Sequence, residues 1–540
     1  MNFIRSFRLA AFRIHAWIGL HACLFFTFLF LTGTILVAGG EIEALFDSRQ
    51  RPAAAADRTA PESLASPGEI FTSVRGAFPD TDIFLLQRDE RSWIGDRVLI
   101  RTRWGDEALI WTDPTSAEVI GVTPYQGFKK TLRELHSQFL VPKGIVTVMV
   151  ASSSLLLLAS ILAGAITYRR FWKGYFRLPS RAAGDRGWWG GLHRLAAVWS
   201  LPFLAIVAIT SLYYFVAGLG LWPGRLPPVP HPVERAEMLP ASFDGAALDA
   251  ALAEASARIP GFRLMEVQFP LSRKDAVVLK GTATAALVRP RANALVVDPS
   301  TGEVLDDWRA EDLRPTVRIA EAVDRLHFGT WGGTNAWGGV LSRTLWIVLG
   351  LAATLLSLSG ATIFAARTRP AAAAAAGLGA PRESGGLRRF WRGMGLLRFV
   401  YPLLVLALLA VIVWRSEILS PKWVTVVSPP DQAAAATLRT KGALRPGGEI
   451  AIRIDLADRA SGPEGTVRLA GGPDVPLVPA GPGRATAVLP VPDGAAPNPL
   501  VVTLTLPRLE EPLTWQLGRL LWPGRDATAA GTPPQAGGSE

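Results

Sequence analysis

The sequence predicts a membrane all-α core. It is read as a four-helix bundle made of two tandem repeats, followed by a fifth helix, with two α+β domains on one side and a C-terminal β-sandwich-like domain. Three observations predict it. Hydrophobic residues make up 49% of the 540 positions and charged ones only 19%, and the apolar ones collect in runs suited to a bilayer core of roughly 30 Å. Two of these runs open on matched histidines, His15 and His193, and each meets a threonine 17 residues later, Thr32 and Thr210. Finally, arginines crowd alternate links between the runs, which marks one face as cytoplasmic by the positive-inside rule.

Residues 17–37, 145–168, 195–219 and 345–366 reach or approach the length needed to span, and 399–414 is shorter. Arg5, Arg8 and Arg13 ahead of the first run resemble a signal peptide. That run exceeds the usual 7–15-residue apolar stretch, so an uncleaved helix is expected. The net charge of +11 sits at the N-terminus and in the links after the second and fourth helices, so it reports topology and argues against a nucleic-acid partner. Cys23 is the only cysteine, which excludes a disulfide framework, a zinc cluster and thioether haem attachment. Neither G-x-G-x-x-G nor a P-loop occurs.

Between the apolar runs the same order of elements recurs. Residues 69–79 read as an amphipathic helix ending at a proline and 82–87 as a strand; 248–260 and 262–268 repeat that order. Strand-like 98–101 and 108–111 lead into Asp113-Pro114, and 294–297 leads into Asp298-Pro299, ordinary turn chemistry. Each half then supplies a second histidine, His136 and His327, and a helix closing on Gly164 or Gly360. The offset between matched residues drifts smoothly from 178 to 196, as loop insertions in a duplicated unit would leave it. The expected divisions are 1–39 (N-terminus and first helix), 40–135 (first outer domain), 136–168 (second helix), 169–192 (inner loop), 193–219 (third helix) and 220–326 (second outer domain). After them come 327–367 (fourth helix), 368–398 (inner linker, flexible around 371–376), 399–414 (fifth helix), 415–522 (β-rich domain, with alternating runs at 449–455 and 500–506) and 523–540 (disordered tail).

The motifs Arg13-x-His15-x-Trp17-x-Gly19, Leu192-His193-Arg194, Asp298-Pro-Ser-Thr-Gly-Glu-Val304 and Leu326-His327-Phe-Gly-Thr-Trp-Gly332 resemble the PepSY-associated transmembrane family. Its members include bacterial inner-membrane proteins linked to iron uptake and siderophore reduction. The resemblance covers about residues 5–367. It implies a four-helix core in the inner membrane, periplasmic PepSY domains and, for reductase members, two b-type haems. The first copy departs from the pattern at 115–118, which lacks the usual glycine.

On this topology His15 and His193 lie at the cytoplasmic ends of helices one and three, and His136 and His327 on the periplasmic side. Two pairs suit two bis-histidine haems, one axial imidazole coming from each side. The plainer role for any one of them is bonding to headgroups or water. Arg133 and Arg325 are candidates to pair with haem propionates, as are Arg13 and Arg194, although cytoplasmic-end arginines need no such role. His21 lies six residues after His15, about 240° round a helix, so the two cannot serve one haem from one face. His231 stands in a proline-rich loop.

The leading expectation is an oxidoreductase that moves electrons across the inner membrane to a periplasmic ferric siderophore or other ferric chelate. The donor would be a quinol or a separate reductase, since no nicotinamide or flavin motif appears. The alternative is a non-enzymatic regulator whose PepSY domains grip a periplasmic partner; an iron or haem transporter ranks third.

Overall fold

The computed structural model describes residues 2–78, 81–102, 107–168, 170, 173, 175–180, 184–232, 234–333, 337–375, 386–419, 424–425, 436–441, 448–457, 464–492, 500–507 and 511–517. The tail expected to be disordered, 523–540, lies outside them. The chain begins with α1 (Asn2–Val37) and the short α2 (Gly39–Phe46). The first half continues through α3 (Pro67–Ala77), β1 (Thr81–Gln87), β2 (Asp96–Thr102), β3 (Glu107–Thr112), β4 (Val119–Pro124), α4 (Phe128–Gln138) and α5 (Ile145–Thr167). The second half runs α6 (Gly184–Gly218), α7 (Gly245–Arg258), β5 (Arg263–Gln268), β6 (Val277–Thr282), β7 (Ala294–Val297), β8 (Val304–Trp308), α8 (Pro315–His327) and α9 (Trp337–Ala375). Apart from α2, the two halves use one order of elements.

Among the described residues, five helical stretches are long and apolar enough to cross a membrane: Phe3–Val37, Ile145–Thr167, Gly187–Gly218, Gly338–Phe364 and Gly395–Val413. Four of them pack in a ring. α1 lies along α9 and α5, and α6 lies along the same two helices. α1 and α6 share little backbone contact, nor do α5 and α9, so these pairs are diagonal. Phe26, Phe30, Leu157, Phe203, Leu204 and Trp346 fill the space between them. The alanine run at 371–376, expected as a flexible linker, is helical as far as Ala375, because alanine is the best helix former and continues α9. α10 (Gly386–Gly393) packs on α9 and buries Phe390 beside Cys23, and α11 (Val400–Leu419) is the fifth spanning candidate.

The two small α+β units expected outside the helices share one sheet. Its eight strands run β4-β3-β2-β1-β5-β6-β7-β8, and the halves join where β1 pairs antiparallel with β5, Leu86 opposite Val267. α3 and α7 cover one face together, burying Phe71, Phe243, Phe269, Val98 and Ile100. α3 starts on a capping box, with Ser66 and Glu69 satisfying each other's backbone N–H groups and Pro67 in the first turn. Asp249 of α7 accepts from the Ser66 hydroxyl (2.7 Å) and the Gly68 N–H (2.8 Å), so one half caps the other's helix. The helices cross at two glycines: a Cβ on Gly68 would lie 2.1 Å from the Gly245 carbonyl oxygen.

The C-terminal region forms β9 (Val424–Thr425), β10 (Ala436–Lys441), β11 (Glu449–Leu456), β12 (Thr466–Leu469), β13 (Asp474–Pro476), β14 (Val478–Gly481), β15 (Arg484–Pro490), β16 (Leu500–Thr505) and β17 (Leu513–Leu517). They make two antiparallel sheets, β14-β15-β11-β10-β9 and β13-β12-β16-β17, which share one core around the fully buried Trp515. The alternation in β11, with Ile450, Ile452 and Ile454 buried, is the period-2 pattern that marked it as a strand.

Candidate functional site

Four histidines stand at the two ends of the helical ring. His15 on α1 and His193 on α6 face each other across the diagonal, their ring centres 6.3 Å apart and their planes at 76°. His136 and His327 stand in the last turns of α4 and α8, the short helices ahead of α5 and α9, against Thr32 of α1 and Thr210 of α6. Along α1 the two levels, marked by His15 and Thr32, are about 25 Å apart at 1.5 Å per residue.

Each ring is oriented through Nδ1. The His15 Nδ1–H donates to the Ser160 carbonyl at 2.9 Å. That of His193 donates to the Ser359 hydroxyl oxygen at 2.8 Å. Those of His136 and His327 donate to Thr32 Oγ1 and Thr210 Oγ1, both at 2.9 Å. The direction of these bonds follows from the acceptors. A carbonyl can only accept, and each hydroxyl has its proton committed to a helix carbonyl: Thr32 to Phe28 (2.7 Å), Thr210 to Ile206 (2.8 Å) and Ser359 to Leu356 (2.8 Å). All four imidazoles are therefore held as the Nδ1–H tautomer, with the lone pair on Nε2. Outside the spanning helices, burial pushes His327 down to about 4, and burial together with His327 pushes His136 to about 4. Both are neutral at physiological pH, the form that ligates metals.

Small residues let the rings approach the helices. A Cβ on Gly33 would stand 3.0 Å from His136 Cε1, one on Gly164 would stand 3.3 Å from His15 Cε1, and one on Gly360 would stand 3.9 Å from His193 Cε1. In the second half Tyr214 adds a ring edge-on to His327 at 5.2 Å and donates its hydroxyl to Asp324 at 2.6 Å. Trp346 donates to the His327 carbonyl at 3.3 Å, and Gly329 turns the chain after α8 at φ +68°, where a Cβ would strike Trp346.

These residues fit the expected haem ligation. A metal–imidazole bond of about 2 Å, with the ring centre about 1 Å behind the nitrogen, sets two axial imidazoles roughly 6 Å apart between centres. The His15/His193 spacing matches that figure. A ligating imidazole normally donates its other N–H to a fixed acceptor, and all four do. No group of three or more His, Cys, Asp or Glu that could hold a metal ion occurs among the described residues, but axial ligation of haem needs only two.

The other sequence candidates are placed as follows. Arg13, Arg133 and Arg194 are exposed. Arg325 is half-buried and donates to the Val288 carbonyl at 3.0 Å. The His21 ring lies 4.9 Å from that of Trp17 with the planes tilted at 59°, its carbonyl accepts from the Tyr401 hydroxyl, and its buried Nδ1 has no hydrogen-bond partner among the described residues. His231 is exposed beside the Lys274 carbonyl. Sequence reasoning singled out Thr32 and Thr210 through their common offset, and the structure explains that offset. It missed Ser160 and Ser359, which are not at matched positions: one lies four residues before Gly164, the other immediately before Gly360.

A family model described as the PepSY-associated TM region matches residues 12–367, from just ahead of His15 on α1 to just past the fourth spanning segment. No curated protein matches the chain.

Proposed function

We propose, from the premise that the chain belongs to the PepSY-associated transmembrane family, that it is an inner-membrane electron-transfer protein that reduces a periplasmic ferric siderophore or other ferric chelate. One observation carries the reading: four histidines, paired at opposite ends of the helical ring, are each locked in the tautomer that leaves Nε2 free. His15 and His193 would hold one b-type haem and His136 and His327 a second. Haem, when bound, supplies reversible one-electron chemistry.

The protein's own residues do the rest. Ser160, Ser359, Thr32 and Thr210 fix ring orientation and raise ligand basicity. Phe26, Phe30, Phe203 and Trp346 exclude water between the two levels. The eight-stranded sheet caps the His136/His327 end. With the arginine-rich links in the cytoplasm, that end faces the periplasm, where a bulky ferric chelate arrives. Reduction of iron(III) weakens its hold on hard oxygen ligands and frees the metal. The donor would be a quinol or a separate reductase. Arg325, near the second pair, and Arg133, exposed on α4, remain candidates to meet propionates.

The purified protein should give a pyridine haemochrome of about two extractable haems per chain, and a dithionite-reduced b-type spectrum that a ferric siderophore reoxidises. His193→Ala should remove one low-spin haem and His327→Ala the other, while His231→Ala changes nothing. A haem-free protein from haem-replete cells would overturn this reading and favour the regulator.

A further inference from the structure

α2 follows the first spanning segment after a single residue, Ala38, so it stands at the outer boundary of the bilayer. It is held there from two sides. Ala44 packs with Ile94 and Trp111, and Glu41 pairs with Arg91 at 3.1 Å and with Arg343. A cleft of about 370 Å³ opens between α2 and the link from β4 into α4, within the usual size of a small-ligand site. α2 contributes Ile42 and Phe46 to its walls, the link and α4 contribute Pro124 and Phe128, and Glu43 and Asp47 bring carboxylates. At the corresponding place in the second half the protein fills the space itself. The chain leaving α6 lies on the start of α8, where Trp222 donates to the Thr316 carbonyl at 3.2 Å and a Cβ on Gly224 would lie 2.5 Å from that oxygen.

The lining is acidic and aromatic together. Asp47 is neutralised by Arg49 at 2.8 Å. Glu43 is engaged differently: its oxygens accept the backbone N–H groups of Phe128 (3.0 Å) and Lys129 (3.4 Å), and no side-chain cation bonds to it among the described residues. Arg97 feels its charge but donates to Gln87 Oε1 at 2.8 Å. Two amides use two of the roughly four lone-pair sites of a carboxylate, so Glu43 keeps room for a cation. Phe46 is 89% exposed and Phe128 46%, with Leu45 nearby at 61%. Bare phenyl rings around a carboxylate are surroundings that an organic ammonium ion favours, and exposed aromatic rings at this level belong to the head-group layer.

We propose that this cleft takes the ammonium head group of an outer-leaflet lipid of the ethanolamine class, held against the Glu43 carboxylate between the Phe46 and Phe128 rings. The lipid source follows from place. The cleft is continuous with the bilayer surface at the end of α1, and the exposed Leu45 and Phe46 suit acyl chains better than water. The site belongs to one half alone, since Trp222 takes its place in the other. It is independent of the haem reading. Its occupant would brace α4, which carries His136 eight residues, about 12 Å, beyond Phe128.

The full-length protein in detergent tests it by native mass spectrometry, with phosphatidylethanolamine or phosphatidylglycerol of identical chains added in turn. The ethanolamine lipid should bind about tenfold tighter than the glycerol lipid at one site per chain, the strength of a partly desolvated cation–π contact. Glu43→Gln removes the charge and keeps an acceptor for the start of α4, and Phe46→Ala removes an exposed wall without touching the core. Each should abolish the preference while the melting midpoint stays. Equal binding of the two lipids by the parent overturns the proposal, as does a preference that survives both substitutions. Loss of the preference in Phe46→Ala alone, with Glu43→Gln behaving as the parent, leaves an apolar notch and also overturns it. If Glu43→Gln lowers the melting midpoint, competition decides for the charge: excess ethylammonium chloride should displace the ethanolamine lipid from the parent, and a lipid that resists it overturns the proposal. Ethylammonium that binds where neither lipid does would make the occupant a soluble ammonium compound and overturn the lipid source.

Discussion

Replacing Thr210 by valine removes one oxygen and keeps the shape of the side chain. Thr210 Oγ1 accepts the His327 Nδ1–H at 2.9 Å and passes its own proton to the Ile206 carbonyl. The carbonyl loses little, because it still has its helix partner. The imidazole N–H is left without an acceptor in a buried setting, which costs about 1–3 kcal/mol. Loss of the fixed tautomer acts in the same direction. Expressed as affinity, the range is about 5- to 150-fold weaker haem binding at the His136/His327 pair, in line with the 10- to 100-fold typical when such an outer partner is lost. The other pair should be untouched, since Thr210 lies at the opposite end of α6 from His193. Haem transfer to an excess of apomyoglobin, followed by absorption, reads the two sites as separate phases. Thr32→Val should accelerate the same phase, although Thr32 is in the other half of the chain, and Ser359→Ala should accelerate the other one. Thr210→Ser should behave as the parent. If Thr210→Val left both phases unchanged while His327→Ala removed one, the hydrogen bond would not hold the ligand and the tautomer argument would fail.

Two further substitutions test packing. Gly33→Ala places a methyl group 3.0 Å from His136 Cε1, so the ring must give by a few tenths of an ångström; the absorption bands of the haem at that pair should shift while those of the His15/His193 haem stay. Gly68→Ala drives a Cβ into the Gly245 carbonyl at 2.1 Å and should cost about 3 kcal/mol of stability in the sheet domain, read as a lowered thermal midpoint. An unchanged midpoint would mean that α3 and α7 slide apart freely.

Much of the architecture was legible because it rests on local physics. Apolar runs of bilayer length, the amphipathic stretch at 69–79 and the alternation in β11 each depend on residues close together in the chain. The alanine run at 371–376 misled because a low-complexity composition suggested a linker where helix propensity continues α9 to Ala375. The union of two small domains into one sheet could not be read, since the β1–β5 pairing joins residues some 180 positions apart without a turn motif to announce it.

The sequence by itself determined that four histidines recur in matched pairs and that threonines stand 17 residues from two of them, because duplication preserves order and spacing. It also determined which chemistry was absent, through its single cysteine. Only the tertiary structure decided how those residues act. That Thr32 serves His136 rather than its sequence neighbour His15, and that Ser160 and Ser359 serve the other pair, are facts about helices crossing. Side chains far apart in the chain are brought to one level by the packing of α1, α5, α6 and α9, and no local pattern encodes which of them will face which.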